Sequence, residues 1–239
     1  MEPELRADEV HVWMASQNQR EAKVETFWSI LSADERERAE RFRFQKDRVH
    51  YVVARGLLRK IPDGYLNIPA ERLRFEYSAN GKPSLSEEFH SSQLRFDVSH
   101  SGGTVLLAFG LGRELGVDVE QIRPDFATVA IAEKFFSANE VSVLRSSPAS
   151  LQVEAFFNCW TRKEAFIKAI GEGLSCPLDK FEVTLAPGER AKLVATSVAG
   201  VPVSKWSMRS LSCRPGLKAA IVVEGHDWKL RCWEWRSRL

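Results

Sequence analysis

The pentapeptide Gly116-Val117-Asp118-Val119-Glu120 restricts how this 239-residue chain folds more than any other segment. Its alternation reads as a strand. Residues i and i+2 of a strand share a face, so Asp118 and Glu120 project together, roughly 7 Å apart at the backbone. Two carboxylates on one face repel each other unless a cation lies between them. A hard divalent ion that takes oxygen ligands and keeps some waters, such as Mg²⁺, suits the pair. Further along, Leu151 to about Ile170 reads as a helix. On a wheel centred on Trp160, the residues Val153, Phe156, Phe157, Glu164 and Ile167 form one stripe that should face the core. A carboxylate in that stripe is costly to bury unless it is paired or bound to a metal. Glu164 therefore either pairs with Lys168, one turn on along the same side, or with a nearby arginine, or it joins Asp118 and Glu120. Three acids and a lysine converging is what a phosphate-transferring site needs.

Charge and cysteine content narrow the function classes. With 34 basic and 32 acidic side chains the net charge is only +2, unlike a nucleic-acid binder with a basic patch or stripe. The basic residues are uneven, however: Arg36, Arg38, Arg41, Arg43, Lys46, Arg48, Arg55, Arg59 and Lys60 crowd one stretch. Such a run is most often a solvated helix face, and here it could also clamp a polyanion. Cys159, Cys176, Cys213 and Cys232 form no CxxC pair and no zinc spacing, so reduced thiols in a cytoplasmic protein are expected. Met1-Glu2-Pro3-Glu4-Leu5 is acidic and lacks the apolar stretch of a secretory leader. No apolar run approaches the roughly 18 residues of a membrane span.

Along the chain, Val10-Trp13 reads as a strand, and Ser32-Ala33-Asp34-Glu35 as a capping box. A helical region then extends to about Lys60, ended by Pro62-Asp63-Gly64. Strands are expected at Leu73–Tyr77, Leu94–His100 and Thr104–Phe109, the last two pairing through a Ser101-Gly102-Gly103 turn. Gly110-Leu111-Gly112-Arg113 is the best boundary. The pattern restarts after it with a strand at 115–120, helices near 127–146 and 151–170, and strands near 181–186, 203–210, 217–223 and 228–235. Ser137–Glu140 is a second capping box. The expectation is an α+β (mixed α/β) protein of two similar halves, 1–111 and 112–239, each with helices packed on a mostly antiparallel sheet.

Three further segments carry polar chemistry. Asn80-Gly81-Lys82-Pro83 is an ordinary turn, yet a lysine at a rigid Gly/Pro corner can reach a phosphate. Phe96-Asp97-Val98-Ser99-His100-Ser101-Gly102 sets a serine and a histidine at a strand end, without the G-x-S-x-G elbow of a serine hydrolase. A structural histidine in a turn and a site for an anionic oxygen ligand are both open there. Phe135-Phe136-Ser137 through Glu140 precedes the helix that carries Trp160 to Leu174.

In this order the segments resemble the Sfp-type 4′-phosphopantetheinyl transferases, over roughly residues 30 to 190. The resemblance implies two α/β halves related by a pseudo-twofold axis, with coenzyme A and Mg²⁺ bound between them. It implies attack by a carrier-protein serine on the β-phosphate of coenzyme A. Matched by motif, Asp118, Glu120 and Glu164 would hold Mg²⁺, with Glu164 also the general base and Lys168 neutralising the pyrophosphate. Lys82, Ser99 and His100 would bind coenzyme A phosphates or hold the adenine end, and Lys46 and Arg48 the 3′-phosphate. Where the family often has Asn, this chain has Asp97, expected to point away from phosphate or to pair with a basic neighbour. The expected partner is an acidic acyl or peptidyl carrier protein, and the expected state a monomer; nucleic acid and membrane are not expected partners. The competing reading is a non-catalytic coenzyme A-binding module of the same fold.

Overall fold

A computed structural model describes residues 4–235 of the chain. The element order is β1 (Glu9–Ser16), α1 (Glu21–Ile30), α2 (Ala33–Glu40), α3 (Gln45–Leu66), β2 (Phe75–Tyr77), β3 (Pro83–Leu85), β4 (Leu94–Ser101), β5 (Thr104–Leu111) and β6 (Leu115–Gln121). It continues with α4 (Val129–Phe135), α5 (Ala138–Ser146), α6 (Ala149–Ile170), β7 (Phe181–Val183), β8 (Leu193–Thr196), β9 (Trp206–Ser210), β10 (Leu217–Glu224) and β11 (Lys229–Glu234). One sheet has the order β11-β1-β5-β4, a second β6-β10-β9, and β2-β3 and β7-β8 are small ribbons. All pairs are antiparallel except β1 with β11. The chain is thus the expected mixed α+β protein.

The sheets are stacked, and sequence alternation shows how. On β5, Val105, Leu107 and Phe109 join the cluster that contains Val52, Val53, Leu57 and Ile61 of α3. The intervening Leu106 and Ala108 join Val10 and Val12 of β1 against Val117 and Val119 of β6 and Ile221 and Val223 of β10. On the far face of β10, Ala220 and Val222 meet Phe156, Phe166 and Ile167 of α6. The layers are therefore α3, first sheet, second sheet, α6. Strands buried on both faces lose the polar half of their alternation, as Val105–Phe109 does. Burying each large apolar side chain in these clusters contributes about 1.5–3 kcal/mol.

Several expected boundaries move. The helical region breaks at 41–44 into α2 and α3, and Pro62 lies inside α3, which runs on to an Asn67 cap at φ 53°. Proline removes one intrahelical donor, yet Pro62 is buried next to Ile61 and the helix continues through it. The expected strand at 73–77 is only Phe75–Tyr77, that at 181–186 only Phe181–Val183, and that at 203–210 begins with a 3₁₀ turn before Trp206. β3 and β8 were not anticipated. Both capping boxes form: Ser32 N donates to Glu35 and Ser137 N to Glu140. The Gly102-Gly103 turn joins β4 to β5 with both glycines at positive φ, 57° and 73°, the hairpin conformation that glycine tolerates without strain.

The final strand departs from a simple division after residue 111. β11 hydrogen-bonds in parallel to β1, with Val12 opposite Cys232 and Trp13 opposite Trp233. The Trp13 and Trp233 rings stack at 5.1 Å. The tail of the second half is thereby an edge strand of the first sheet. Among the described residues no helix is long and apolar enough to cross a membrane. The opening residues 1–3, part of the leader reading, lie outside the described region.

Candidate active site

Gly116 decides where α6 lies. A Cβ at this position would stand 2.2 Å from the Ala165 carbonyl oxygen and 2.4 Å from the Ala169 nitrogen. Both are backbone atoms of α6, so only a residue without a side chain lets the helix rest directly on β6. Val117 and Val119 turn to the inter-sheet core, leaving Asp118 and Glu120 on the face that meets α6. Helical spacing sets Glu164 and Lys168 on one side of α6, one turn apart. The close approach brings all four charged side chains to one place.

The edge strand β4 runs alongside β6 and holds it through side chains instead of a backbone ladder. Val117 N donates to Asp97 Oδ2 at 2.8 Å, Val119 N to Ser99 Oγ at 3.2 Å and Gln121 N to Ser101 Oγ at 3.0 Å. Ser99 Oγ also donates to Asp118 Oδ1 at 2.8 Å, and Ser101 Oγ to Glu120 Oε2 at 2.8 Å. Lys168 Nζ donates to Asp118 Oδ1 at 2.7 Å, to Ser99 Oγ at 3.0 Å and to the Val117 carbonyl at 3.2 Å. An ammonium has three protons, and all three are used. The partner of Lys168 is thus Asp118, not Glu164.

The electrostatics follow from crowding. Burial, then the charges of Asp118 and Glu120, push the Glu164 carboxyl up to about 7, against the pull of Lys168. Glu120 is also raised, by burial and by Asp118, against the Ser101 hydrogen bond. Burial alone would lower Lys168, but Asp118, Asp97 and Glu164 outweigh it and raise it. Burial raises Asp97, opposed by the nearby charges of Lys168 and Lys82. Asp97 neither points away nor forms an ion pair; it accepts the Val117 amide, as an asparagine oxygen also would.

The donor set suits a hard cation. Asp118 is 3% exposed and its Oδ2 has no hydrogen-bond partner among the described residues, an unusual state for a buried carboxylate oxygen. With the raised Glu164 and Glu120 beside it, the cluster is short of positive charge and offers oxygen ligands only. Among the described residues, no three acidic, His or Cys side chains stand as a ready-made cage. Lys168 already occupies one oxygen of Asp118.

A cleft of about 330 Å³ opens beside this cluster, lined by Lys82, Asp97, Glu164 and Lys168 among others. Lys82 Nζ donates to the Leu115 carbonyl at 3.0 Å, and Asn80 Nδ2 to the Gly171 carbonyl at 3.0 Å at the end of α6. Gly81, Pro83 and Val98 also line a second hollow of about 480 Å³, so the two adjoin. Its other walls include Arg38, Tyr51, Tyr77, His50 and His100. Tyr51 Oη is buried without a hydrogen-bond partner among the described residues. His100, exposed at the rim yet hemmed in by protein atoms, is held below the ordinary histidine range by desolvation and then by Lys168.

The structure therefore brings Asp118, Glu120, Glu164, Lys168, Ser99 and Lys82 together, with His100 in the adjoining hollow. Lys46 is exposed and does not line that hollow, although its charge, after desolvation, lowers His50, which does. Arg48 is elsewhere: its guanidinium stacks over Trp28 at 4.8 Å and lines a separate depression. Arg55 and Arg59, from the same basic run, are buried against Glu35. Sequence reading singled out neither Tyr51 nor Ser101, and it named Arg38 only as one of the basic run that could clamp a polyanion. Ser101 was detectable, because it lies two residues beyond Ser99 on the same face of a strand. Which member of the basic run faces the hollow was not legible, because the direction of Arg38 depends on the break between α2 and α3.

Comparison with known proteins agrees with this site. Residues 114–222 match the 4′-phosphopantetheinyl transferase superfamily, and residues 12–110 match the amino-terminal region of 4′-phosphopantetheinyl transferases. The chain is 36% identical to the 4′-phosphopantetheinyl transferase HetI of a Nostoc species, over 97% of this chain and 94% of that protein. It is 34% identical to the 4′-phosphopantetheinyl transferase Sfp of Bacillus subtilis over 85% of this chain and 87% of Sfp. It is 38% identical to the 4′-phosphopantetheinyl transferase psf-1 of Bacillus pumilus over 72% of this chain and 71% of that protein. With an acid cluster on β6 and α6, two adjoining clefts and similarity along nearly its whole length, this chain belongs to the 4′-phosphopantetheinyl transferase family.

Proposed function

We propose that this chain moves the 4′-phosphopantetheine arm of coenzyme A onto a serine of an acyl or peptidyl carrier protein, releasing adenosine 3′,5′-bisphosphate. The observation that carries the reading is the pairing of Lys168 with Asp118 beside Glu164, in a cleft that adjoins a basic and aromatic hollow. A pyrophosphate in the smaller cleft and a nucleotide in the larger one match that division. The wall of the smaller cleft comes from both halves of the chain, which supports binding of coenzyme A between them.

Asp118, Glu120 and Glu164 would hold Mg²⁺. Bound there, the ion would supply charge neutralisation for the pyrophosphate and for the transferring and leaving oxygens. Glu164, whose carboxyl stands at about 7 only while no cation offsets Asp118 and Glu120, lines the cleft where it can accept the proton of the carrier serine. The serine oxygen then bonds to the β-phosphorus, and the bond from that phosphorus to the bridging oxygen of the nucleotide breaks. Lys168 keeps its charge throughout, since its pKa is raised. It acts on phosphate through charge, or by exchanging its longest bond, that to the Val117 carbonyl at 3.2 Å. Lys82 adds a second cation at the other wall. Arg38, on the wall of the larger hollow, fits the 3′-phosphate better than Arg48 does. The protein works as a monomer in the cytoplasm.

The test is the intact mass of an apo acyl carrier and an apo peptidyl carrier after incubation with this protein, coenzyme A and Mg²⁺. A gain of one phosphopantetheine unit that chelation abolishes supports the reading. No gain on either carrier, with coenzyme A still bound, favours a binding module.

A further inference from the structure

We propose that Ser101 is a positioning residue that sets Glu120 for the cation, one rung of a side-chain ladder that fixes which oxygen of each β6 acid is left free. The inference rests on the function proposed above. Ser99 and Ser101 each act in two directions. Each hydroxyl accepts the amide of the residue 20 positions later and donates to the carboxylate one position before it, Asp118 or Glu120. Asp97 supplies the third rung through Val117 N. The constant offset shows that β4 and β6 run parallel, in register, along the edge where the two sheets meet. A serine has one proton and two lone pairs, so a rung that accepts the β6 amide is oriented to donate to the neighbouring acid.

The consequence is selective. Ser99 and Lys168 take Asp118 Oδ1 and leave Oδ2 buried and unpaired. Ser101 takes Glu120 Oε2, and no hydrogen bond to Oε1 is present among the described residues. Hydrogen bonds to a ligating carboxylate orient it, and their loss costs roughly 10–100-fold in metal affinity. Ser101 lines neither hollow and its hydroxyl bonds only to Glu120 and the Gln121 amide among the described residues, so its effect passes through Glu120.

Isothermal titration of the purified chain with MgCl₂, in the presence of coenzyme A, tests this. Ser101→Ala should weaken Mg²⁺ by about tenfold, and Ser101→Thr, which keeps the hydroxyl, should restore binding to within about twofold. The KM for coenzyme A at saturating Mg²⁺ should be unchanged in both variants. Where Ser101→Ala fails to fold by circular dichroism, Ser101→Cys, similar in size and a weak donor, replaces it with the same expected loss. Equal Mg²⁺ affinity in wild type and the hydroxyl-free variant overturns the proposal, and so does failure of Thr to restore binding. Absence of Mg²⁺ binding in the wild type overturns the underlying functional reading instead.

Discussion

Lys168 Nζ stands 2.7 Å from Asp118 Oδ1, while the other oxygen of Asp118 is buried with no partner among the described residues. One carboxylate thus has one side neutralised by Lys168 and one side that no described residue bonds. Lysine is 26% exposed at this pair and aspartate 5%, so the charge of Lys168 is only partly screened where phosphate would enter. Lys168→Ala should lower kcat by about 100-fold, the usual cost of losing a preorganised charge at a transferring group, with a smaller effect on KM. Steady-state carrier modification followed by mass measures both. A variant within a few-fold of wild type would restrict Lys168 to holding Asp118.

Glu164 gives a pH signature. Its carboxyl titrates near 7 in the folded chain against an ordinary 4.5, so folding favours the protonated form. The contribution to stability is full below about 4.5 and is lost as pH rises through about 7. In chelator, wild type should lose about 1–2 kcal/mol between pH 5 and pH 8 relative to Glu164→Gln, after screening of a partly exposed group is allowed for. Urea unfolding of both proteins at the two pH values reads this difference. The same variant should abolish transfer. Parallel stability profiles would show that Glu164 does not titrate in this range.

Gly116→Ala should separate the helix from the strand. The new methyl meets two backbone atoms of α6 below 2.5 Å, so one element must shift. Overpacking of this kind costs about 1–3 kcal/mol. The transfer rate should fall with it, because the shift moves Glu164 and Lys168 relative to Asp118 and Glu120. Thermal melts and transfer rates are the readouts; a fully stable, fully active variant would remove close contact as the reason for glycine here.

Arg38 and Lys82 should differ in which phosphate they serve. Lys82 lines the cleft with Glu164 and Lys168, whereas Arg38 lines the adjoining hollow with His100. Lys82→Ala should weaken coenzyme A and dephospho-coenzyme A equally. Arg38→Ala should weaken coenzyme A about tenfold more than dephospho-coenzyme A, the scale of a lost charge-assisted hydrogen bond. Competition binding of the two nucleotides measures both; the reverse pattern would exchange their places.

The acids and the helix that meets them were legible in the chain because period 2 and period 3.6 are local properties. Asp118-x-Glu120 and Glu164-x-x-x-Lys168 each share a face in any strand or helix of that sequence. The β4–β5 hairpin was equally local, through the two glycines that tolerate positive φ. Arg48 and Lys168 show the limit. Arg48 belongs to the basic run, yet it stacks on Trp28, a residue brought near only when α1 packs on α3. Lys168 reads as a partner for Glu164 along the helix, yet it reaches across to β6, where a more buried carboxylate and a free carbonyl lie.

Local spacing thus determined which residues could share a face, and hence that three acids and a lysine would be available to one site. Tertiary structure decided the pairings among them. Which oxygen of Asp118 is free, why Asp97 is tolerated, and why β11 returns to β1 all depend on how two sheets stack and where their edges meet. Those contacts join residues far apart in the chain through burial and unsatisfied edge amides, forces with no sequence period to reveal them.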